Sequence, residues 1–182
     1  PLLNREALFK AITILNSPKM RNMGARHITV STAGIVPGIL ELAEFPVPVR
    51  LSVSLHAPND AQRNKLMPVN KKYPIGPLMD ALKTYQQKTG ERITVEYVMI
   101  RNVNDEPEHA YETAALFSGM GVYVNLIPYN PVTDRYQRSN PERIKVFSAA
   151  LSRLGIENEI RKEKGTDINA ACGQLRRREQ GN

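Results

Sequence analysis

Strands alternating with helices along the whole chain predict an α/β fold, and polar residues inside those strands predict its form: a partial (β/α) barrel. After an opening helix the order reads β-α-β-α-β-α-β, and the helices supply the long crossovers that parallel strands need. A doubly wound sheet would satisfy that order equally well. Ser52, Ser54, Glu96 and Asn125 favour the barrel. They would be costly on a face packed under helices, but can bind a polar ligand when they face an open lumen. Four main strands are too few for the usual eight-stranded closure, so part of the wall lies outside this chain.

The elements follow in order. Asn4 can cap a helix whose apolar positions Ala7, Leu8, Ala11, Ile12 and Leu15 recur at helical spacing, with Ser17-Pro18 ending it. Residues 28–32 are β-branched and alternating, as in a strand. A short helix over 35–45 stops before Pro46 and Pro48. Leu51, Val53 and Leu55 alternate with Ser52, Ser54 and His56 in a second strand with a polar face. Asn59 opens a short polar helix through Leu66. Ile75, Leu78, Met79, Leu82 and Tyr85 mark a longer amphipathic helix stopped at Gly90. A third strand covers 93–100, a turn 102–105, and Ala110, Ala114 and Phe117 stripe the next helix. A fourth strand covers 122–127. After a polar loop, Asn140-Pro141-Glu142 combines a cap with proline in the first turn. Ile144, Phe147, Leu151 and Leu154 line that helix, and 156–161 form a last short strand.

In such barrels the site lies at the C-terminal ends of the strands. Ser31-Thr32, Ser54-Leu55-His56, Arg101-Asn102 and Tyr129-Asn130 occupy those ends. Their hydroxyls, amides and imidazole suit a polar ligand, although strand-end turns use Ser and Asn in the same way. His27 and His109 read as surface residues.

Beyond the last strand, Gly165 to Leu175 holds the single cysteine, Cys172. Ala170, Ala171 and Gly173 leave the thiol open to approach. Arg161, Lys162 and Lys164 precede it and Arg176, Arg177 and Arg178 follow it, and nearby positive charge favours the nucleophilic thiolate. A small buried core residue is the plainer reading of a lone cysteine.

The chain has 182 residues with 41% apolar content, enough for one domain with a sizeable core. Lys and Arg number 25 against 18 Asp and Glu, a net charge of +7 that favours an anionic partner such as RNA. One cysteine fits a reducing cytosol, and no apolar run reaches the length of a membrane span. The absence of an initial Met and the immediate entry into a helix suggest a piece of a longer protein.

Several stretches occur in an order that points further: Ile28-Thr-Val-Ser-Thr32 with Gly34 and Pro37, Ser54-Leu-His-Ala-Pro58, Asn70-Lys-Lys-Tyr73, Glu96-Tyr97-Val98, Asn104-Asp105, Leu126-Ile-Pro-Tyr-Asn-Pro131 and Ala170-Ala-Cys-Gly-Gln-Leu175. The ordered set resembles the radical S-adenosylmethionine methyltransferases that methylate adenine in ribosomal and transfer RNA, the RlmN/Cfr type. The resemblance implies a radical-SAM barrel of which residues 1–182 are the C-terminal part, with a methyl-carrier loop at about 162–175. It implies one S-adenosylmethionine site, matched here by Ser31, Ser54, Leu55, His56 and Asn130, and a [4Fe–4S] cluster. Cys172 matches the methyl-carrying cysteine. The implied chemistry moves a methyl to that thiolate, then uses a cofactor radical to add the carbon to an adenine ring carbon, carbon 2 rather than carbon 8. A second cysteine resolves the adduct through a disulfide. The implied partners are 23S ribosomal RNA, with transfer RNA as a second substrate, and an electron donor for the cluster. The implied parent is a cytoplasmic monomer.

The departures are equally specific. The family's Cys-x3-Cys-x2-Cys cluster loop, its resolving cysteine, its N-terminal RNA-binding domain and its acid–base Glu have no counterpart here. One thiol cannot ligate a cluster, so no metal ligand is expected in this chain, which by itself should be inert. Lys71, Lys72, Arg135, Arg138, Arg161, Lys162, Lys164 and Arg176 to Arg178 are candidate phosphate contacts, and Tyr129 and Tyr136 candidate base-stacking residues. Two other classes remain open: a basic RNA-binding half-domain without catalysis, and an unrelated barrel enzyme acting on a phosphorylated metabolite.

Overall fold

The computed structural model describes residues 1–131 and 135–162. In order these form α1 (Arg5–Asn16), β1 (Thr29–Thr32), α2 (Val36–Ala43), β2 (Arg50–Ser54), α3 (Asp60–Leu66), α4 (Ile75–Thr89), β3 (Ile93–Met99), α5 (Pro107–Leu116), β4 (Val122–Pro128), α6 (Pro141–Arg153) and β5 (Glu157–Ile160). Every element expected from periodicity is present. Two helices start as their caps predict: Asn59 Oδ1 accepts from the Gln62 amide at 3.0 Å, and Asn140 Oδ1 from the Arg143 amide at 2.9 Å. Helix α4 ends on Gly90, whose φ of 68° is left-handed backbone that glycine adopts at no steric cost.

The five strands make one parallel sheet in sequential order, β1-β2-β3-β4-β5. Right-handed crossovers between consecutive parallel neighbours carry every connecting helix to the same side. A doubly wound sheet must reverse its strand order to place helices on both faces, and this one does not. The sheet is therefore a section of barrel wall, as the polar strand residues predict.

Register separates the two faces. Val30, Leu51, Val53, Ile93, Val95, Tyr97, Met99, Val122, Val124 and Leu126 are all buried. Helices cover this side, with α2 against α4 and α5 against α6. Phe147 of α6 meets the Tyr97 ring at 5.2 Å between centroids. On the other face Ser54 stands beside Glu96, Glu96 beside Asn125 and Asn125 beside Glu159, with Ser52 beside Thr94. Side chains alternate along each strand, so the four polar residues picked out by the sequence share one side.

Two local expectations change. Asn4 occupies the cap position of α1 but its side chain makes no capping bond, and Ala7 and Ala11 are exposed. Ile12 of α1 joins the buried core, and the start of the chain is tied to α2 and the residue pair after it: Phe9 stacks on Phe45 at 4.6 Å, Arg5 pairs with Glu41, and Leu2 sits so close to Gly38 that an added Cβ there would stand 2.7 Å from the Leu2 Cβ. Strand β2 stops at Ser54, two residues before its alternation does, because His56 turns the chain with a φ of 59°. Among the described residues no helix is long and apolar enough to cross a membrane.

Candidate functional site

At the end of β1 the chain turns sharply into α2. Thr32 is buried, and its Oγ1 accepts from the Gly34 and Ile35 amides at 3.1 and 3.2 Å, which closes the turn. Gly34 has a φ of 102°. Ser31, one residue back and on the opposite face, is exposed on the polar side.

The end of β2 is built around His56. Its amide and that of Leu55 both reach the Glu96 carbonyl, at 3.4 and 3.0 Å. The imidazole Nδ1 then accepts from the Val98 amide at 3.2 Å, taking the place of the next ladder carbonyl. An acceptor at Nδ1 fixes the neutral tautomer with its proton on Nε2. Burial first, and the Arg63 charge second, hold the ring down to about 4 from its ordinary 6.5, against an opposing bond to the Glu96 backbone. Asn104 completes the clamp. It is fully buried, its Nδ2 donates to the His56 and Val98 carbonyls at 2.8 and 2.6 Å, and its Oδ1 accepts from the Ile100 amide at 2.7 Å.

The His56 ring gives the stability a pH dependence. An unfolded chain takes up this proton near pH 6.5 and the folded chain only near 4, so the contribution is complete above 6.5 and is lost as pH falls toward 4. His56→Asn keeps an acceptor for the Val98 amide and tolerates positive φ. Urea midpoints of the wild type should fall more steeply across that interval than those of the variant; parallel slopes would mean that the ring titrates normally in the fold.

Between the β1 and β2 ends lies Arg63 of α3, with no exposed surface. Its Nε donates to the Leu55 carbonyl at 3.1 Å, its Nη2 to the Ala33 and Ser54 carbonyls at 2.9 and 3.0 Å, and its Nη1 to Asn70 Oδ1 at 2.7 Å. Asn70 Nδ2 passes on to Asp60 Oδ1 and Asn64 Oδ1 at 2.8 and 3.0 Å. Burial pulls the guanidinium down to about 10, while Asp60 opposes the fall, so it stays charged at neutral pH.

On the open side, Ser52 Oγ donates to Glu96 Oε1 at 3.2 Å and Ser54 Oγ to Oε2 at 3.4 Å. Beyond the strand ends, Ile100 pairs with Arg138 in an antiparallel bridge and the Arg101 amide donates to the Gln137 carbonyl at 2.9 Å. Part of the expected polar loop is thus fastened to the end of β3, with Arg138 beside Ile100 and Gln137 beside Arg101. Tyr129 and Tyr136 meet edge to face at 6.3 Å, and the Arg135 guanidinium lies 5.1 Å from the Tyr136 ring centre. The two tyrosines pack on each other, as loop tyrosines commonly do. Lys71, Lys72, Arg161 and Lys162 are exposed.

The structure places Ser31 at the end of β1, Ser54 and His56 at the end of β2, and Asn130 just past the end of β4, with β3 between them. Leu55, between Ser54 and His56, is not a surface side chain: it is fully buried, its amide is bonded to the Glu96 carbonyl and its carbonyl to Arg63. His109 is also not a plain surface residue. Its Nδ1 accepts from the Glu106 amide at 3.2 Å in a capping box for α5, and its Nε2 lies 2.6 Å from Gln62 Nε2. Cys172, Lys164 and Arg176 to Arg178 lie outside the described residues. Sequence reasoning missed Arg63, which a short polar helix presents as one more solvated charge, and it took Asn104 for an ordinary turn residue. Asn104 at least stood in one of the ordered motifs, whereas Arg63 lies between two of them, Ser54-Leu-His-Ala-Pro58 and Asn70-Lys-Lys-Tyr73, and had no such sign.

The model of the Radical SAM superfamily matches residues 1–114, well over half of the chain. The chain belongs to the radical SAM superfamily. Within it, similarity runs over nearly the whole chain to proteins named "Probable dual-specificity RNA methyltransferase RlmN". The one from Thermotoga maritima is 52% identical over 97% of this chain and 51% of its own length. The one from Symbiobacterium thermophilum is 47% identical over 99% of this chain and 49% of its own. A crystal structure of a radical SAM methyltransferase from Sphaerobacter thermophilus superposes with a TM-score of 0.91 at 47% identity, covering 96% of this chain and 51% of that one. A domain of pyruvate-formate lyase-activating enzyme from Bacteroides vulgatus shares the fold at a TM-score of 0.67 and 15% identity, over 89% of this chain and 94% of that one. The chain thus spans about half the length of the curated relatives it matches.

The superfamily implies S-adenosylmethionine and an iron–sulfur cluster. The residues present fit the first: an exposed Ser31 hydroxyl, the Ser52-Ser54-Glu96 row and a proton fixed on His56 Nε2 offer donors and acceptors to its ribose, adenine and amino-acid groups. They do not fit the second. The whole chain has a single cysteine, and no group of three or more His, Cys, Asp or Glu that could hold a metal exists among the described residues. A single cysteine also excludes a disulfide within this chain, which corrects the pairing that the resemblance implied.

Proposed function

We propose that residues 1–182 are the C-terminal part of one radical SAM barrel domain that binds S-adenosylmethionine and accepts its methyl group, in an enzyme that methylates an adenine ring carbon of RNA. The observation that carries this reading is the set of polar groups at neighbouring strand ends, Ser31, Ser54 and His56, the last held in one tautomer by the Val98 amide. Asn130, at the end of β4, completes the set. The printed names of the relatives give the reaction class. Bound S-adenosylmethionine supplies the methyl group. Cys172 would take it on its thiolate, the methyl–sulfonium bond breaking as the new S–C bond forms and S-adenosylhomocysteine leaving, and basic residues precede it in the sequence at Arg161 and Lys162. The ligands of the [4Fe–4S] cluster and the electron donor that serves it lie outside this chain.

The substrate is 23S ribosomal RNA, with transfer RNA as a second substrate, and the target is carbon 2 rather than carbon 8. Exposed cations around the mouth, Lys71, Lys72, Arg101 and Arg135, suit phosphate contacts, and binding through them weakens steeply with salt. An adenine must leave its stack to reach the lumen, as sequence-specific RNA recognition commonly requires. A lone thiol kept reduced fits a cytoplasmic monomer.

Peptide mass spectrometry of the full-length protein, expressed with iron and sulfide, tests this directly. The peptide containing Cys172 should carry one extra methylene, and Cys172→Ala should abolish methyl transfer while leaving salt-sensitive RNA binding in place. An unmodified thiol in protein that binds S-adenosylmethionine would make Cys172 structural and restore the reading of a barrel enzyme for a phosphorylated metabolite.

A further inference from the structure

We propose that Arg63 is a positioning residue of the cofactor site, setting the spacing between the end of β1 and the end of β2. The proposal rests on the reading that Ser31, Ser54 and His56 bind S-adenosylmethionine. Arg63 touches none of the groups that would meet the ligand. It acts on the backbone that carries them.

The geometry has three parts. The first is the distribution of donors. One Nη2 nitrogen bridges the Ala33 carbonyl, past β1, to the Ser54 carbonyl, at the end of β2, while Nε holds the next carbonyl, Leu55. The β1–β2 ladder itself ends at Thr32 and Val53, so the guanidinium continues the pairing where the two backbones diverge into their turns. The second part is clearance. At Gly34 an added Cβ would lie 3.1 Å from Arg63 Nη2 and 3.3 Å from Leu78 Cδ2, so the turn after β1 and the guanidinium are fitted to each other. The third part is support. Asn70 accepts from Nη1 and donates to Asp60, whose Oδ1 also accepts from the Ile75 amide at the start of α4. Arg63 is thereby tied to the helix layer as well as to the strand ends.

A buried cation with no carboxylate paired directly to it among the described residues is an expensive choice if packing alone were required. Lysine would keep the charge but not the planar fork, which reaches three carbonyls on two segments at once. A fork suits a residue that holds two strand ends at a set distance, and Ser31 and His56 flank those same carbonyls.

The test measures S-adenosylmethionine affinity by equilibrium titration, using folded, iron–sulfur-loaded full-length protein well below its melting temperature. Arg63→Lys is compared with Ser31→Ala, which removes a proposed ligand contact, and with Val124→Ala, a core change on the helix side of β4. Arg63→Lys should raise the Kd at least about tenfold, or ~1.4 kcal/mol. Val124→Ala should lower the melting temperature and leave the Kd within about twofold of the wild type, a difference of less than ~0.5 kcal/mol. If Arg63→Lys lowers the melting temperature but not the affinity, while Ser31→Ala weakens binding, Arg63 is merely structural and the proposal falls while the cofactor reading stands. If neither variant affects affinity, both fall. Should Arg63→Lys be too unstable to assay, Asn70→Ala keeps the guanidinium and removes its support, and is judged by the same two outcomes.

Discussion

Asn104→Asp is expected to destabilise the fold by about 3 kcal/mol or more, among the largest single-residue effects in this chain. The side chain sits in full burial with its Nδ2 between two carbonyls, those of His56 and Val98. Aspartate is isosteric, so packing is unchanged, but it replaces a donor of two hydrogen bonds by an anion facing two carbonyl oxygens at under 3 Å. Burying that charge without a partner is costly, and the carboxyl would escape only by taking up a proton. Tyr97 adds to the sensitivity, because its hydroxyl donates to the Asn104 carbonyl at 2.8 Å and a shift of the loop breaks that bond too. Urea denaturation at neutral pH measures the loss, and a partial recovery of stability on acidification would identify the protonated carboxyl as the tolerated form. A midpoint equal to that of the wild type would mean that the Asn104 clamp carries no weight.

Gly34→Val is the second large effect. The φ of 102° lies where a β-branched residue is strained, at roughly 1–3 kcal/mol. The added atoms also meet Arg63 Nη2 and the Leu78 methyl groups at or inside contact distance, and overpacking of this kind adds roughly 1–3 kcal/mol. Relief by rotating the turn would break the bonds from the Gly34 and Ile35 amides to Thr32 Oγ1. The expected result is a loss of several degrees in melting temperature, and Gly34→Ala should be milder. A valine variant as stable as the wild type would show that the turn relaxes freely.

Asn104 and Gly34 differ in how visible they were beforehand. A glycine just after a strand announces a turn, so Gly34 was legible as punctuation even without its angle. Asn104 was legible as part of a polar turn and of one ordered motif, but its burial was not, because nothing in a run of polar residues says which one faces inward. His56 lies between these cases. Its place at a strand end marked it as a candidate, but its use of Nδ1 as a surrogate ladder acceptor depends on Val98, a residue 42 positions away in the chain.

The sequence by itself determined which segments are strands and which are helices, and on which side of the sheet the polar strand residues fall. These are short-range matters: a period of two, a period of 3.6, a capping asparagine, a glycine past a helix end. Sequential strand order then makes the one-sided helix layer follow from the handedness of the crossovers. The tertiary structure alone decided that Arg63 is wholly buried, that Leu55 belongs to the core and that His109 caps a helix. Burial of a polar group depends on partners brought from far along the chain. The carbonyls of Ala33 and Ser54 meet Arg63 only once β1, β2 and α3 are packed together. A charge on a short polar helix looks solvated until the fold supplies the acceptors that make its burial tolerable.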